Sequence, residues 1–394
     1  MRILCHAQSL SGVGHVVRMR AIARGLSAAY EVYLVDGGRP IPVRRSPHEP
    51  EALELPRLFR ADGRLSAAGG PAAVPGLLEE RADILARAVE RIRPDIVLIE
   101  HYPFSKWELG LEMAATIEAA RRSSAGVRVL CSLRDVVRKT RYEDAPPDVY
   151  EARVLSLLRE GFDAILVHAD PAFTRLEEHF SRAADLPLPV HYTGFVVEPF
   201  VPHAGSPLPE PYAVLSCGGG TRSLAFLRAS IEAFRHLSTQ GTLGTMQLLV
   251  FPSPFPGAGE VEALRAATRG GPFQLQTFSP DFTTWLAGSA LSISRAGYNT
   301  SCQILKVGAR SVLVPDPDMS DQESRAMRLA ELGLATVAEG RPARVESITA
   351  AIETALARPP ARHELDLDGV ATTRAILEKL AAEYLSASCR PRMR

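Results

Sequence analysis

Short apolar runs of strand length alternate with segments of helical period along almost the whole chain. "RILCHA" comes first, then the helical "VVRMRAIARGLSAA" and a second run, "EVYLVD". A Pro- and Gly-rich stretch precedes a long helix, "GLLEERADILARAVERIR", and the strand "PDIVLIE". "GVRVLCSL", "FDAILVH" and "LPVHYTG" read as further strands, with "WELGLEMAATIEAARRS" and "YEARVLSLLREG" as helices between them. This alternation predicts parallel sheets joined by helical crossovers, with both faces covered.

The pattern then breaks and restarts. "EPFVPHAGSPLPEP", residues 198–211, is Pro-rich, has no period and reads as a linker. Beyond it, "YAVLSCGGG" behaves as a new first strand and "LAFLRASIEAFRHLS" as its helix. "MQLLVFPS", "FQLQTFS", "ALSISRAG", "ARSVLVP" and "LATVAEG" supply the next strands. The predicted fold class is therefore α/β, with two doubly wound Rossmann-like domains over residues 1–200 and 201–365. Residues 366–394 form a last helix and tail. That helix carries Leu377, Leu380 and Tyr384 on one face; it either caps the second domain or crosses back to the first. Residues 37–75, rich in Gly, Pro and Arg, read as an acceptor-side loop or as a plain surface excursion. Ligands of such folds sit beyond the carboxyl ends of the strands, and two domains can face those ends across a cleft.

Composition narrows the class. With 394 residues and 46% hydrophobic content, the chain can bury a large core and exceeds the usual single-domain size. Lys plus Arg and Asp plus Glu both number 45, so charge gives no argument for a nucleic-acid partner. The basic end "CRPRMR" reads as a solvated tail. The five cysteines are scattered, with no CxxC pair, which supports neither zinc nor disulfides and fits a reduced, cytoplasmic setting. No apolar stretch reaches the roughly 20 residues of a transmembrane helix, and the N-terminal run is too short for a signal peptide. The expectation is a soluble protein for which peripheral membrane contact stays open.

Candidate chemistry gathers at the strand ends. Two glycine loops, "SLSGVGH" and "SCGGGTRS", follow the first strand of each half. Glycine lets backbone N–H groups approach an anion at a helix N-terminus. Neither loop is a P-loop, and Val17 stands where a dinucleotide fingerprint has its third glycine. A bare turn is the plain alternative for each. His15 opens the first helix, where the helix end favours a neutral imidazole able to act as a base; Arg18 follows one turn later. Glu100 and His101 end one strand, Arg134 and Asp135 the next. Asp135 and Glu100 are substitute bases, and Arg–Asp neighbours also commonly lock loops. No spacing resembles a metal site. The densest constellation is "SRAGYNTSCQILKVGARSVLVPDPDMSDQESRA", two strand–loop–helix units whose amides suit a nucleotide diphosphate and its ribose.

Here the chain resembles a known family. "SRAGYNTSCQIL" with "VLVPDPDMSDQESRAMRLAELGLA" is similar to the donor region of GT-B nucleotide-sugar glycosyltransferases. The branch is that of the N-acetylglucosaminyltransferase completing the peptidoglycan lipid intermediate. "GVGHVVR" resembles the GxGHxxR loop of a smaller group, which includes uncharacterised bacterial predicted glycosyltransferases and a sugar-nucleotide hydrolase. The resemblance implies that Gly218, Gly219, Gly220, Thr221, Gly297, Tyr298, Asn299 and Thr300 lie near the donor diphosphate. Phe278 would meet the base, and Gln322, with Asp321 beside it, the sugar. Arg295 would assist the diphosphate. Gly12, Gly14 and His15 would line the acceptor side and the reaction centre; by their own positions at strand and helix ends, Arg18, His101 and Arg134 are read as acceptor-side too. One departure is Gln303, where the family has a glutamate on the ribose hydroxyls; an amide offers one acceptor and one donor group instead of two acceptor oxygens.

The implied activity is metal-independent glycosyl transfer from a nucleoside diphosphate sugar, uridine-linked, to an acceptor hydroxyl on a small molecule, glycan or lipid-linked carrier. No cofactor is implied beyond the donor as co-substrate. A sugar-nucleotide hydrolase and a non-catalytic nucleotide-sugar binder are the alternatives.

Overall fold

The computed structural model describes all residues except 11, 44–45, 62, 137–144, 201–207, 209–210, 220–223, 341–343 and 389–394. The basic tail and most of the linker lie outside the described residues, as does the side chain of Tyr384.

The first domain contains strands β1 (Arg2–His6), β2 (Glu31–Asp36) and β3 (Glu51–Glu54), then a hairpin of β4 (Phe59–Ala61) and β5 (Arg64–Ser66). Strands β6 (Ile96–Glu100), β7 (Arg128–Leu133), β8 (Ala164–Val167) and β9 (Val190–Tyr192) follow. Its crossover helices are α1 (Gly14–Ser27), α2 (Val74–Ile92), α3 (Gly110–Ser123) and α4 (Pro147–Gly161). Seven strands form one parallel sheet in the order β3-β2-β1-β6-β7-β8-β9.

Period-2 alternation sorts β1 between two layers. Ile3 and Cys5 enter one core with Met19, Ile22 and Leu26 of α1. Leu4 enters the other with Leu85, Val89 and Ile92 of α2. All of these side chains are nearly or fully buried, each contributing roughly 1.5–3 kcal/mol where fully enclosed.

The second domain repeats the plan. Strands β10 (Tyr212–Ser216), β11 (Gln247–Phe251), β12 (Phe273–Leu275), β13 (Leu291–Ser294), β14 (Ser311–Leu313) and β15 (Thr336–Val337) make a parallel sheet ordered β12-β11-β10-β13-β14-β15. Helices α5 (Leu224–Thr239), α6 (Glu260–Ala267), α7 (Phe282–Ala287), α8 (Tyr298–Val307), α9 (Ser320–Glu331) and α10 (Val345–Ala357) cover it.

Two segments resolve expectations left open. Residues 37–75 are not simply a loop: they add edge strand β3 and the hairpin, with Leu55 and Leu58 buried beneath. The last helix, α11 (Gly369–Ser388), crosses back to the first domain. Phe195 N–H donates to Asp366 O (2.8 Å) and Gly369 N–H to Phe195 O (3.0 Å), while Leu377 is fully buried in the α1 core. The last helix thus packs on the first domain.

Candidate functional site

In each sheet the strand order reverses beside the first strand, between β1 and β6 and between β10 and β13. The crevice at such a reversal is where α/β sheets bind ligands. Here the two crevices face each other, and their glycine loops touch. Val13 N–H donates to Gly219 O (3.3 Å), and Asn299 Nδ2 donates to Gly14 O (3.0 Å). A methyl on Gly219 would lie 2.3 Å from Val13 Cγ2, so only glycine allows this approach. Gly218 adopts φ +65°, the left-handed region, and its N–H is held by Ser216 Oγ (3.0 Å). Gly12 lies in the turn before α1, and Ser9 Oγ accepts from Val16 N–H (3.3 Å) to close that helix's first turn.

His15 stands at this seam. Its Nδ1 is 2.5 Å from Oε1 of Glu100, which is fully buried at the end of β6. The same oxygen accepts from Arg18 (2.8 Å), itself buried and lying 5.4 Å from the Tyr298 ring, and Oε2 accepts from Lys106. Burial pushes Glu100 upward, but His15, Lys106 and Arg18 together hold it well below the usual carboxylate range. Burial and the Arg134 guanidinium depress His15 well below an ordinary histidine, although Glu100 opposes them. At neutral pH the pair is therefore carboxylate and neutral imidazole. Nδ1–H donates to Glu100, and Nε2 is left as the basic lone pair.

His101 packs edge-on to His15, with ring centroids 5.3 Å apart, in a left-handed backbone conformation (φ 63°). His15, Glu100 and His101 bring three potential ligand atoms within 4.8 Å of one another. The donor set does not suit a metal ion: both Glu100 oxygens already serve cations, and Arg134 adds a third positive charge nearby.

Asp135 occupies a different role from the one its position suggested. Both its oxygens accept from Arg325 of α9, at 2.6 and 2.7 Å, and Arg325 also donates to Ala296 O (2.6 Å). The pair is buried and joins the two domains, which makes Asp135 an interdomain strut instead of a base reaching the cleft. Tyr298 likewise turns its side chain into the first domain. Its hydroxyl donates to His168 O (2.8 Å) and accepts from Val196 N–H (3.0 Å).

On the second domain, Gly218, Gly219, Phe278, Asn299, Thr300 and Gln303 share one pocket, closed from the first domain by Val13, Val17 and Ile41–Val43. Gln303 Nε2 donates to Thr283 Oγ1 (2.9 Å). Gly297, in extended backbone, precedes α8 with open space around it. Arg295 is turned away: it donates to Val314 O and Pro315 O (3.0 and 2.9 Å) and lies over the Phe226 ring. Gln322 Oε1 accepts from Asp316 N–H (3.1 Å), and Asp321 lies 3.5 Å from Arg325. Gly220 and Thr221 lie outside the described residues.

Sequence reading missed Lys106 and Arg325, whose partners lie across the fold. It also missed the buried group of Arg81, Glu112 and Gln8 below the opening loop, in which Arg81 donates to Glu112 and to Gln8 Oε1 (2.9 Å). Gln8 in turn donates to Gly37 O (3.1 Å) and fixes the segment that follows β2.

Two doubly wound parallel sheets meeting at paired glycine loops define a GT-B fold. Residues 257–371 match the glycosyltransferase family 28 C-terminal domain. Over 137 residues the chain is 35% identical to the UDP-N-acetylglucosamine–N-acetylmuramyl-(pentapeptide) pyrophosphoryl-undecaprenol N-acetylglucosamine transferase of Aromatoleum aromaticum. That match spans 34% of this chain and 37% of that protein, little more than a third of the relative's length. Among solved structures, Acinetobacter baumannii MurG superposes with a TM-score of 0.56 at 17% identity, covering 96% of this chain and 99% of that one. Glycosyltransferase VinC in complex with dTDP gives 0.56 at 15% identity over 98% and 95%.

Proposed function

We propose that the protein transfers a sugar from a nucleoside diphosphate donor, uridine-linked, to an acceptor hydroxyl, with His15 as the base. The observation that carries this reading is a neutral histidine, fixed by a buried carboxylate, facing the glycine loops of a family 28 domain. His15 Nε2 takes the proton of the acceptor hydroxyl as that oxygen bonds to the anomeric carbon. The bond from that carbon to the donor's β-phosphate oxygen breaks, and its electron pair leaves with the nucleoside diphosphate. Backbone N–H groups of the Gly218–Gly219 turn and the N-terminus of α8 meet the departing charge, the kind of preorganised stabilisation that often dominates catalysis. Glu100 holds the imidazole tautomer and steadies the imidazolium that forms. No step requires a metal ion. The acceptor is read as lipid-linked, and the setting as a membrane surface, from the relative's printed substrate; among the described residues no helix is long and apolar enough to cross a membrane.

The test is a thermal-shift screen of nucleoside diphosphates, followed by diphosphate release from the matching sugar nucleotide with and without candidate acceptors. His15→Ala should lower turnover by about 10²–10⁴-fold while keeping the nucleotide-induced stabilisation. Undiminished turnover removes His15 from the role. Rapid acceptor-independent release of free sugar would make the enzyme a hydrolase, and donor binding with no turnover would make it a binding protein.

A further inference from the structure

The cations and carboxylates at the seam pair off unequally. Glu100 is taken by Arg18 and Lys106. Asp135 is taken by Arg325, which also lies within 3.5 Å of Asp321. Arg134, at the end of β7, is left over. Among the described residues no hydrogen bond or ion pair holds its guanidinium, and its Nε is buried without a partner. Among the described residues, four cations therefore face three carboxylates, and the cation without a paired carboxylate is Arg134. Arg134 is half-buried and only its Nε is enclosed without a partner, so the outer guanidinium nitrogens stay open to an anion that would pair with them.

The direction of the side chain identifies where that anion lies. A methyl placed on Gly14 would meet Arg134 Nη2 at 3.4 Å and Asn299 Nδ2 at 3.6 Å. Arg134 thus reaches from the first domain past Gly14 toward the first turn of α8, whose N–H groups already favour negative charge. We infer that Arg134 binds the diphosphate of the donor across the domain seam. This rests on the nucleotide-sugar reading above and moves Arg134 from the acceptor side to the leaving group. As the sugar–oxygen bond breaks, the electron pair stays on the β-phosphate oxygen, and the guanidinium offers N–H donors to the charge that collects there. The cation comes from one domain and the helix N-terminus from the other, so full stabilisation requires the closed seam.

The experiment compares wild type with Arg134→Met and Arg134→Lys, using UDP and uridine, and dTDP and thymidine, as probes in calorimetry and thermal shift. Wild type should bind the diphosphate more tightly than the nucleoside. Arg134→Met should shrink that ratio by about 10–100-fold, leave nucleoside binding unchanged and lower turnover by about 10²–10³-fold; Arg134→Lys should restore part of both. The ligand-free Arg134→Met protein should melt no lower than wild type, because the guanidinium has no partner to lose; a purely structural arginine would lower it. If Arg134→Met keeps the full diphosphate preference and raises only the acceptor KM, the anion belongs to the acceptor and the assignment is overturned. A wild type indifferent to every diphosphate overturns the donor reading itself, a result distinct from a responsive wild type with an equally responsive variant.

Discussion

Arg325→Met should separate the two domains energetically, and the structure sets the size of the effect. Arg325 gives Asp135 two hydrogen bonds of 2.6 and 2.7 Å and gives the Ala296 carbonyl a third of 2.6 Å. Both side chains are at most 1% exposed. Removing the cation strands a buried carboxylate, a change that costs about 3–5 kcal/mol. The double variant Asp135→Leu/Arg325→Met strands no carboxylate at position 135 and leaves the Ala296 carbonyl and the Val136 N–H unpaired, about 1–3 kcal/mol each, while Asp321 loses its 3.5 Å neighbour in both variants; the double variant should therefore be more stable than the single one. Trp107 lies in the first domain and Trp285 in the second, and the chain has no other tryptophan. Urea unfolding of the two single-tryptophan proteins thus follows each domain separately. Coincident curves in wild type should come apart in Arg325→Met. The effect also carries a pH sign. In wild type the Arg325 pair outweighs burial and holds Asp135 below its ordinary value. The strut's contribution is therefore present above the unfolded pKa near 3.9 and fades as pH falls through the lower folded value. In Arg325→Met, burial without the partner raises Asp135, so the penalty is absent in acid and grows as pH rises through the folded pKa. A deficit under about 1 kcal/mol, or one that stays constant between pH 4 and 8, would refute the strut.

Three further outcomes are expected. Because burial and Arg134 depress His15, the acid limb of kcat/KM should have its midpoint below the ordinary histidine value of 6.5; Glu100→Gln should move it lower still, since Glu100 opposes the depression, and cut turnover by about 10²–10⁴-fold. A limb at or above 6.5 would contradict the half-buried neutral base. Chelator treatment should leave turnover unchanged, as Arg18, Lys106 and Arg134 already supply positive charge around Glu100; loss on chelation with recovery on a divalent ion would reverse that reading. Gln303→Glu should raise the preference for UDP over dUDP by about 10-fold, because a carboxylate accepts from both ribose hydroxyls while Thr283, now 2.9 Å from the amide, can turn its hydroxyl to donate. An unchanged ratio would remove residue 303 from the ribose contact.

The sequence was most informative where chemistry is local. Strand and helix patterns foretold both sheets, because continuous apolar runs between amphipathic helices have few other ways to be buried. The glycine loops and His15 stood out for the same reason: a strand end, a turn and a helix start are neighbours in the chain. What stayed illegible was pairing at a distance. Asp135 looked like a candidate base because nothing near it in sequence reveals Arg325, 190 residues away. Lys106 carries no signal in the sequence: the left-handed turn at its own backbone brings its ammonium to Glu100. The resemblance puts Tyr298 near the donor diphosphate, yet its side chain serves the opposite domain while its backbone opens α8. The same pairing logic singles out Arg134. Once each described carboxylate at the seam has its cation, the remaining arginine is defined by what it lacks, and a missing anion can be read only after its described competitors have been assigned.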